Sequence, residues 1–350
     1  MKQHKPKTVF SSDGRILFYD LNHFKSDIVN GGCCFICGAK QNTKEFNDEH
    51  IIPNWILKRF NLQEAKITLP NFTKIQYSKY KVPCCKECNS QLGEHFEIPI
   101  SELLSKSYDE IAKELINSPD KRDLLFRWLC LIYFKTHLKD KSLKASKDLR
   151  KDEGNIGDAH EWGFFHHIHC IVRSHHTKAK LHEDVYGSMV INKIITIDQV
   201  DQFDYIDNPW TSCVLLQLGE FCVAAVLDDS CASASIYGEQ LNKISQGISI
   251  YQFFEIFSHL NFISLHLKER PIFQSSITKT GYKIIAKIPD KMELTEISKR
   301  IGTHGDFLKL YAERSFPDLP DRDEILQKIE KAEWTFLWDS EGKFVDINKK

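Results

Sequence analysis

The chain has 350 residues, and its content of 42% hydrophobic and 27% charged residues excludes a disordered or fibrous protein. The net charge of −1 gives no general attraction to nucleic acid, so a nucleic-acid partner requires local basic clusters. No stretch approaches the roughly 20 apolar residues that span a bilayer, and the beginning of the chain lacks the apolar core of a signal peptide. We therefore expect a cytosolic protein of two domains that does not bind membranes.

The first predicted elements are short. Residues 9–10 and 16–19 predict two strands joined by a turn at residues 12–14, where Ser, Asp and Gly follow one another. Residues 45–52 predict a strand that carries the sequence Asp-Glu-His. Residues 53–60 predict a helix, because the proline that opens this segment suits the first turn of a helix.

The following segment predicts a strand and then helices. Residues 61–82 alternate in polarity, notably over 74–77, and predict the second strand of a hairpin. Helical character is expected over residues 89–116, directly after the second cysteine cluster. Residues 121–140 predict the strongest helix of the chain, because their apolar residues recur at helical spacing.

The C-terminal half has a different pattern. Residues 140–160 are rich in Lys, Asp and Gly and predict a linker, so we place a domain boundary near Gly154. Beyond the linker, strands are predicted at residues 164–172, 188–197, 212–217 and 221–227. Helices are predicted at residues 249–260, 292–301 and 321–332. The fold class is therefore α+β, with an antiparallel sheet in this half.

Cysteine spacing gives the strongest chemical signal. Six of the eleven cysteines fall into two tight clusters, which indicates metal binding because thiols in the cytosol stay reduced. Each cluster contains a Cys-x-x-Cys pair, formed by Cys34 with Cys37 and by Cys85 with Cys88. Two such pairs supply the four soft ligands of a structural zinc site. The residue before each pair is also a cysteine, so the register is open, and the compact turn favours these four.

Between the two cysteine pairs stands the sequence Asp-Glu-His-Ile-Ile-Pro, residues 48–53. This order of motifs resembles the HNH endonuclease family, in the subgroup whose ββα-metal core is framed by a zinc ribbon. The resemblance covers about residues 30–100 and rests on Glu49, His50, Pro53, Trp55, Cys85, Cys88, Asn89, Gly93 and Glu97. It implies a zinc-ribbon ββα-metal nuclease domain, followed by a helical segment and a C-terminal α+β domain.

The resemblance also implies a role for individual residues. His50 is the general base that takes a proton from water, and Glu49 and Asn89 are ligands of a catalytic Mg²⁺ or Mn²⁺ ion. Phosphodiester hydrolysis needs a neutral imidazole near pH 7 and a cation that offsets the charge on the phosphate. The four cysteines hold a separate, structural Zn²⁺ ion.

Two positions of the family pattern have more than one candidate. The middle asparagine, which steadies the histidine loop, is assigned to Asn71, with Asn54 as its rival. On the helix after the second cysteine pair, Asn89 stands where the family has its final histidine. His95 or Glu97, on the same helix, could serve the metal instead.

The activity implied by the resemblance is metal-dependent hydrolysis of DNA, in bacterial anti-phage defence or mobile-element biology. The implied domains are a nuclease domain over residues 1–118, a helical connector over 119–153 and a recognition or regulatory domain over 154–350. A regulatory protein partner or a homodimer is expected to control cleavage. Two other functions are open, namely a non-catalytic zinc module that binds nucleic acid and a protein-interaction scaffold.

Residues 159–182 contain seven histidines. On a strand, His167 and His169 would share a face, which would allow a second metal site. We expect these histidines instead to be surface imidazoles on a strand and its loop. Cys170 falls on the opposite face of that strand and is expected to be buried.

Overall fold

The computed structural model describes residues 7–148, 150–195, 203–245, 247–279, 281–295 and 302–347. The strands are β1 Val9–Phe10, β2 Ile16–Phe18, β3 Phe46–His50, β4 Lys66–Thr68, β5 Lys74–Gln76, β6 Lys81–Cys85, β7 Lys180–Leu181, β8 Met189–Lys193, β9 Phe203–Asn208, β10 Cys213–Leu218, β11 Phe221–Val226, β12 Ile272–Thr278 and β13 Gly281–Lys287. The helices are α1 Leu21–His23, α2 Asn54–Arg59, α3 Lys86–Leu92, α4 Ile98–Leu104, α5 Tyr108–Asn117, α6 Pro119–Asp140, α7 Trp162–Val172, α8 Ser174–Thr177, α9 Ala232–Ile236, α10 Gly238–Leu241, α11 Ile250–His266, α12 His304–Ala312 and α13 Arg322–Glu330. The fold is mixed α+β with antiparallel sheets, as the sequence predicts.

Short non-α turns connect several of these elements. Two are π-helical, Phe24–Val29 and Gly93–Glu97, and three are 3₁₀ turns, Tyr77–Lys79, Ile156–Ala159 and Glu183–Val185. The π-helical turn Gly93–Glu97 joins α3 to α4 without a break in the chain's helical course. Across the described ranges, no helix is both long enough and apolar enough to cross a bilayer.

The chain forms two compact units. Unit 1 consists of Met1–Lys106, Ser118–Val185 and Phe273–Ile285, and unit 2 consists of Ser107–Asn117, Tyr186–Ile272 and Ala286–Lys350. This division differs from the boundary predicted near Gly154, because residues 154–185 pack with the N-terminal part of the chain. The histidine-rich segment therefore belongs to the unit that contains the cysteine clusters.

Helix α6 forms the centre of unit 1. Ser118 caps it by accepting a hydrogen bond from the Lys121 amide at 3.3 Å, and Pro119 occupies its first turn. The helix is buried on nearly every side from Leu125 to His137, which explains why apolar residues fill its sequence. The prediction of a strong helix over 121–140 is confirmed.

A β-hairpin and a helix follow the first cysteine pair. Strand β3 pairs with β6 in antiparallel register from Phe46 opposite Cys85 to His50 opposite Lys81, and α3 begins at the next residue, Lys86. The strand expected at 45–52 is confirmed, but its partner is β6 rather than the segment 74–77. That segment forms β5 and pairs with β4 in a separate hairpin. Polarity alternates over 74–77 but not along β6, so periodicity pointed to the wrong partner.

The largest error of the sequence analysis concerns residues 164–172, which form helix α7 and not a strand. The buried residues of this segment are Phe165, Ile168, His169, Cys170, Ile171 and Val172. The steps from Phe165 to Ile168 and from Ile168 to Val172, of three and four residues, follow one face of a helix. The aromatic and β-branched residues favoured a strand, and packing against α6 overrides that preference. Because the segment is helical, His167 and His169 do not share a strand face.

Unit 2 contains a four-stranded antiparallel sheet with the order β8-β11-β10-β9. The two central strands, β10 and β11, are buried along their whole length and joined by a tight turn, so the strands predicted at 212–217 and 221–227 are confirmed. Helices α11, α12 and α13 pack into one hydrophobic core with this sheet. The helix predicted at 292–301 is wrong for residues 292–295, which are not helical, and its remainder lies outside the described residues.

Candidate metal centre

The first cysteine pair lies on a compact turn. The amide of Cys34 donates to the carbonyl of Ala39, and the amide of Gly38 donates to the carbonyl of Cys34, each at 2.8 Å. Gly38 has a φ of +78°, and a β-carbon there would collide with the hydroxyl of Tyr19. The glycine after the pair is therefore required for the chain to curl round the sulfurs.

The second pair lies where a strand meets a helix. Cys85 is the last residue of β6, and Cys88 is in the first turn of α3. The ligand atoms of Cys34, Cys37, Cys85 and Cys88 all lie within 4.8 Å of one another. The Sγ atoms of Cys37 and Cys85 are 3.7 Å apart. A zinc ion with bonds of about 2.3 Å to sulfur needs tetrahedral edges of about 3.8 Å, so this donor set fits zinc.

The register of the site is the one favoured by the compact turn. Cys33 takes no part in the four-sulfur group, whereas Cys84 lies against it with its Sγ 3.8 Å from that of Cys34. Hydrogen bonds from Cys37, Cys84 and Cys88 lower the pKa of Cys34. A bound dication favours the thiolate form at all four ligands.

Helix α7 supports the first turn from behind. His169 has no exposed surface, and its Nε2 lies 2.7 Å from the carbonyl oxygen of Phe35, so this nitrogen must carry the proton. Arg173, also buried, donates to the carbonyls of Ile36 and Ile16. Burial lowers the pKa of His169 well below its usual 6.5, so the ring is neutral. The expectation of surface imidazoles is wrong here, since this histidine holds the cysteine turn in place.

His50 ends strand β3 and is partly exposed. Burial is the main cause that lowers the pKa of His50, and the charge of Lys81 opposite it on β6 adds to the effect. Asp48, two residues earlier, is exposed and shares the face of the strand with His50. The imidazole is consequently neutral near pH 7, which is the form that can accept a proton.

Glu49 points to the other, buried face of β3 and is 8% exposed. Its Oε1 lies 2.7 Å from Nζ of Lys135, a residue of α6 with no exposed surface. The same ammonium group donates to the carbonyl of His50 at 2.7 Å. Lys135 therefore fixes the end of β3 through both a charge and a backbone contact. The sequence analysis missed this lysine, whose only signal is a cation within an apolar helix.

The two asparagines assigned by resemblance lie apart. Nδ2 of Asn89 donates to Oδ1 of Asn47 at 2.9 Å, which ties α3 to β3. Asn71 occupies the turn between β4 and β5, where its Oδ1 accepts from the amide of Thr73 at 3.0 Å. Asn54, the rival for the middle position, is exposed in the first turn of α2.

The two helix candidates, Glu97 and His95, face different surroundings. The carboxylate of Glu97 accepts from the indole of Trp55 at 3.0 Å and from that of Trp128 at 3.3 Å. Burial raises the pKa of Glu97 to about 7, and the charge of Lys135 opposes the rise. His95 is exposed, and its ring centroid is 5.6 Å from that of His175.

Within the described residues, the His, Cys, Asp and Glu side chains that can share an ion form two groups of three or more. One is the four-cysteine group, and the other consists of His137, Asp140 and His160. Glu49, His95 and Glu97 belong to neither. The structure thus brings the predicted zinc ligands together, and it does not gather the predicted catalytic ligands in the same way.

Comparisons with protein-family models, with curated proteins and with solved structures found no match. The function therefore has to be argued from the chemistry of the site itself. The four-cysteine group supports a structural metal ion such as zinc. His50 lies at the partly exposed end of β3, outside the four-cysteine group.

Proposed function

We propose that unit 1 hydrolyses phosphodiester bonds of DNA, with His50 as the general base. The observation that carries the proposal is the position of His50 at the end of β3. This strand pairs with β6, β6 runs directly into α3, and the four cysteines bracket the arrangement. Zinc bound by the cysteines would hold β3, β6 and α3 together, and this would keep the imidazole of His50 in a fixed position.

To act as a general base, His50 must be in its neutral form. The oxygen of a water molecule attacks phosphorus while its proton passes to the imidazole. The bond from phosphorus to the leaving oxygen then breaks, that oxygen takes up a proton from solvent, and the imidazolium releases its proton to solvent. A positioned base of this kind contributes roughly 10²–10⁴-fold to the rate. Lys81, opposite His50, supplies a cation that attracts the phosphate.

The Mg²⁺ or Mn²⁺ ion expected from the resemblance remains a prediction. It would supply positive charge at the phosphate, with Glu49 and Asn89 as ligands. As they stand, these residues do not form a ligand group, because Lys135 holds Oε1 of Glu49, Asn89 is paired with Asn47, and Glu49 belongs to neither group of side chains that can share an ion. In the proposed reaction, Glu49 is accordingly a positioning residue that holds Lys135 and, through it, the carbonyl of His50.

A second candidate function is a non-catalytic zinc module that binds nucleic acid. The Glu49–Lys135 ion pair favours it, because a buried lysine occupies the carboxylate that a catalytic metal would need. Such a module requires the cysteines and has no use for a neutral imidazole at His50. The two candidates therefore differ in what the loss of that ring would do. A role in defence or mobile elements belongs to the first candidate, and so does control by a protein partner or a second copy that raises the chain's own basal cleavage.

The test is cleavage of plasmid DNA, and in parallel of RNA, by the purified full-length chain with Mg²⁺, with Mn²⁺ and with neither. His50→Ala is compared with wild type and with His182→Ala, which removes an exposed histidine of the same unit. We expect His50→Ala to abolish cleavage with its zinc content unchanged, and His182→Ala to cleave normally. If wild type and His182→Ala bind DNA without cleaving it, this result would support the second candidate and refute the first.

A further inference from the structure

We propose that His137, Asp140 and His160 form a second metal site, which takes Zn²⁺. The site is independent of the four-cysteine group and of the proposed function. His137 and Asp140 are three residues apart near the end of α6, so both project from the same face of the helix. His160 follows the 3₁₀ turn Ile156–Ala159, which brings the chain back to that helix end.

The geometry places three ligand atoms around one point. Oδ2 of Asp140 lies 3.1 Å from Nδ1 of His137 and 2.9 Å from Nε2 of His160. All three ligand atoms are within 4.8 Å of one another. Zinc bonds of about 2.0–2.1 Å to nitrogen and oxygen need tetrahedral edges of about 3.3 Å, so small shifts would admit the ion. Two imidazoles and a carboxylate are a ligand set that zinc uses.

Burial strengthens the case for a cation. The side chains of His137, Asp140 and His160 are 3%, 4% and 7% exposed. The ring of Phe165 lies 5.1 Å from that of His137 and 5.7 Å from that of His160, so the surroundings are apolar. Within the described residues, the ion-pair partners of Asp140 are these two histidines. Without a metal, both ring nitrogens must donate a hydrogen to this carboxylate, and a dication would take the place of those two hydrogens.

The site has a clear structural task. The segment between α6 and α7 folds back on the end of α6, where Nδ2 of Asn155 donates to the carbonyl of Lys141 and the indole of Trp162 donates to that of Gly157. A metal ion bound by His160 and by two residues of α6 would hold the segment between α6 and α7 against the end of α6. It would also fix the helix end that lies five residues beyond Lys135, the partner of Glu49. The three side chains leave the fourth position of the tetrahedron to water, and we assign the ion a structural role because its protein ligands are buried.

The experiment is elemental analysis of the full-length chain after equilibration with Zn²⁺ and removal of the excess. We expect two zinc ions per chain in the wild type and one in Asp140→Asn, which keeps the size of the side chain and weakens its binding of zinc. His182→Gln, in an exposed histidine of the same segment, should keep both. One zinc ion per wild-type chain, or an unchanged count in Asp140→Asn, would overturn the proposal.

A second measurement needs no variant. Titration of the metal-free wild type with Co²⁺ should show two phases, because cobalt takes zinc sites and reports its ligands in the visible spectrum. One phase should carry the strong sulfur-to-cobalt charge-transfer absorption of the cysteines. The other should show only the weaker bands of nitrogen and oxygen ligands. A single phase with sulfur bands, saturating at one cobalt per chain, would contradict the second site.

Discussion

The four-cysteine group and the end of strand β3, at Glu49 and His50, both belong to unit 1, yet their residues are held in place in different ways. Each cysteine pair is set by a turn of a few residues, so local backbone geometry brings two sulfurs together. The carboxylate of Glu49 is set by Lys135, which is 86 residues away in the chain. The cysteine site is built from two local turns, whereas the position of Glu49 depends on a long-range contact.

This difference shows which kinds of site a sequence can reveal. A metal site made of two short motifs needs only one long-range pairing, and the β3–β6 hairpin provides it. A site made of single residues depends on which side chain arrives from elsewhere. Here a buried ammonium group reaches Glu49, and two indoles reach Glu97. The motif residues Glu49, Trp55 and Glu97 consequently take part in packing of the interior as well as in any chemistry.

The largest effect is expected from loss of a zinc ligand. Cys88→Ser should release the metal and unfold unit 1, because structural zinc contributes on the order of 10 kcal/mol to folding of small domains. The checks are zinc content and resistance to proteolysis. Cys231→Ser, in an exposed cysteine outside the group, is the control and should leave both unchanged. A Cys88→Ser chain that keeps zinc and stability would show that the sulfurs are only packed together.

The next largest effect concerns the buried ion pair. Lys135→Met should cost about 3–5 kcal/mol of unfolding free energy, because it leaves the carboxylate of Glu49 buried without a partner. The double variant Glu49→Gln, Lys135→Met should recover most of that loss, since neither group is then charged. Denaturant titrations of the three chains measure it.

The single variant Glu49→Gln tests the role of Glu49, because its amide oxygen can still accept from Lys135, which holds the carbonyl of His50. If Glu49 only positions the strand end, this variant keeps cleaving DNA. If Glu49 instead binds the catalytic metal, the variant is folded and inactive.

A third prediction concerns pH. The pKa of Glu97 is raised from 4.5 to about 7 in the folded chain, so its protonated form stabilises the fold below pH 4.5. This contribution is lost as pH rises through about 7, and its full size is about 3 kcal/mol. The unfolding free energy of Glu97→Gln should therefore fall less than that of wild type as the pH rises from 4.5 to about 7. Equal slopes of unfolding free energy against pH in both chains would show that Glu97 does not titrate in this way.

The smallest effect is expected at Asn71. Asn71→Ala removes the acceptor for the amide of Thr73 and the donor to the carbonyl of Lys144, and should cost about 1 kcal/mol. Cleavage should be unchanged, because the structure gives this residue a turn-forming role. A loss of cleavage comparable with that of His50→Ala, without a loss of stability, would restore Asn71 to the catalytic set.

The sequence was sufficient for elements whose pattern is local. The hairpin at the N-terminus, the strand with His50, helix α6 and the strands β10 and β11 were all predicted from periodicity and turn residues. It failed where two patterns compete, as in α7, whose aromatic and β-branched residues suit a strand and whose burial follows a helix.

For the candidate site as well, residues set by a local motif were predicted from the sequence, and residues set by long-range contacts were not. The zinc ligands were found because Cys-x-x-Cys is itself a turn. Lys135, His169 and Arg173 were missed because each acts on a backbone or carboxylate group far away in sequence. His137, Asp140 and His160 were missed for the same reason, since their meeting depends on how the segment after α6 returns.

The central claim is that His50 is the reactive group of this hairpin. The most direct test is the pH dependence of the DNA-cleavage rate of wild type and His50→Ala under single-turnover conditions. Because the pKa of His50 is lowered from 6.5, the wild-type rate should rise below that pH and be level at neutrality. His50→Ala should be roughly 10²–10⁴-fold slower and lack this rise. An equal rate, or the same rise in His50→Ala, would contradict the assignment.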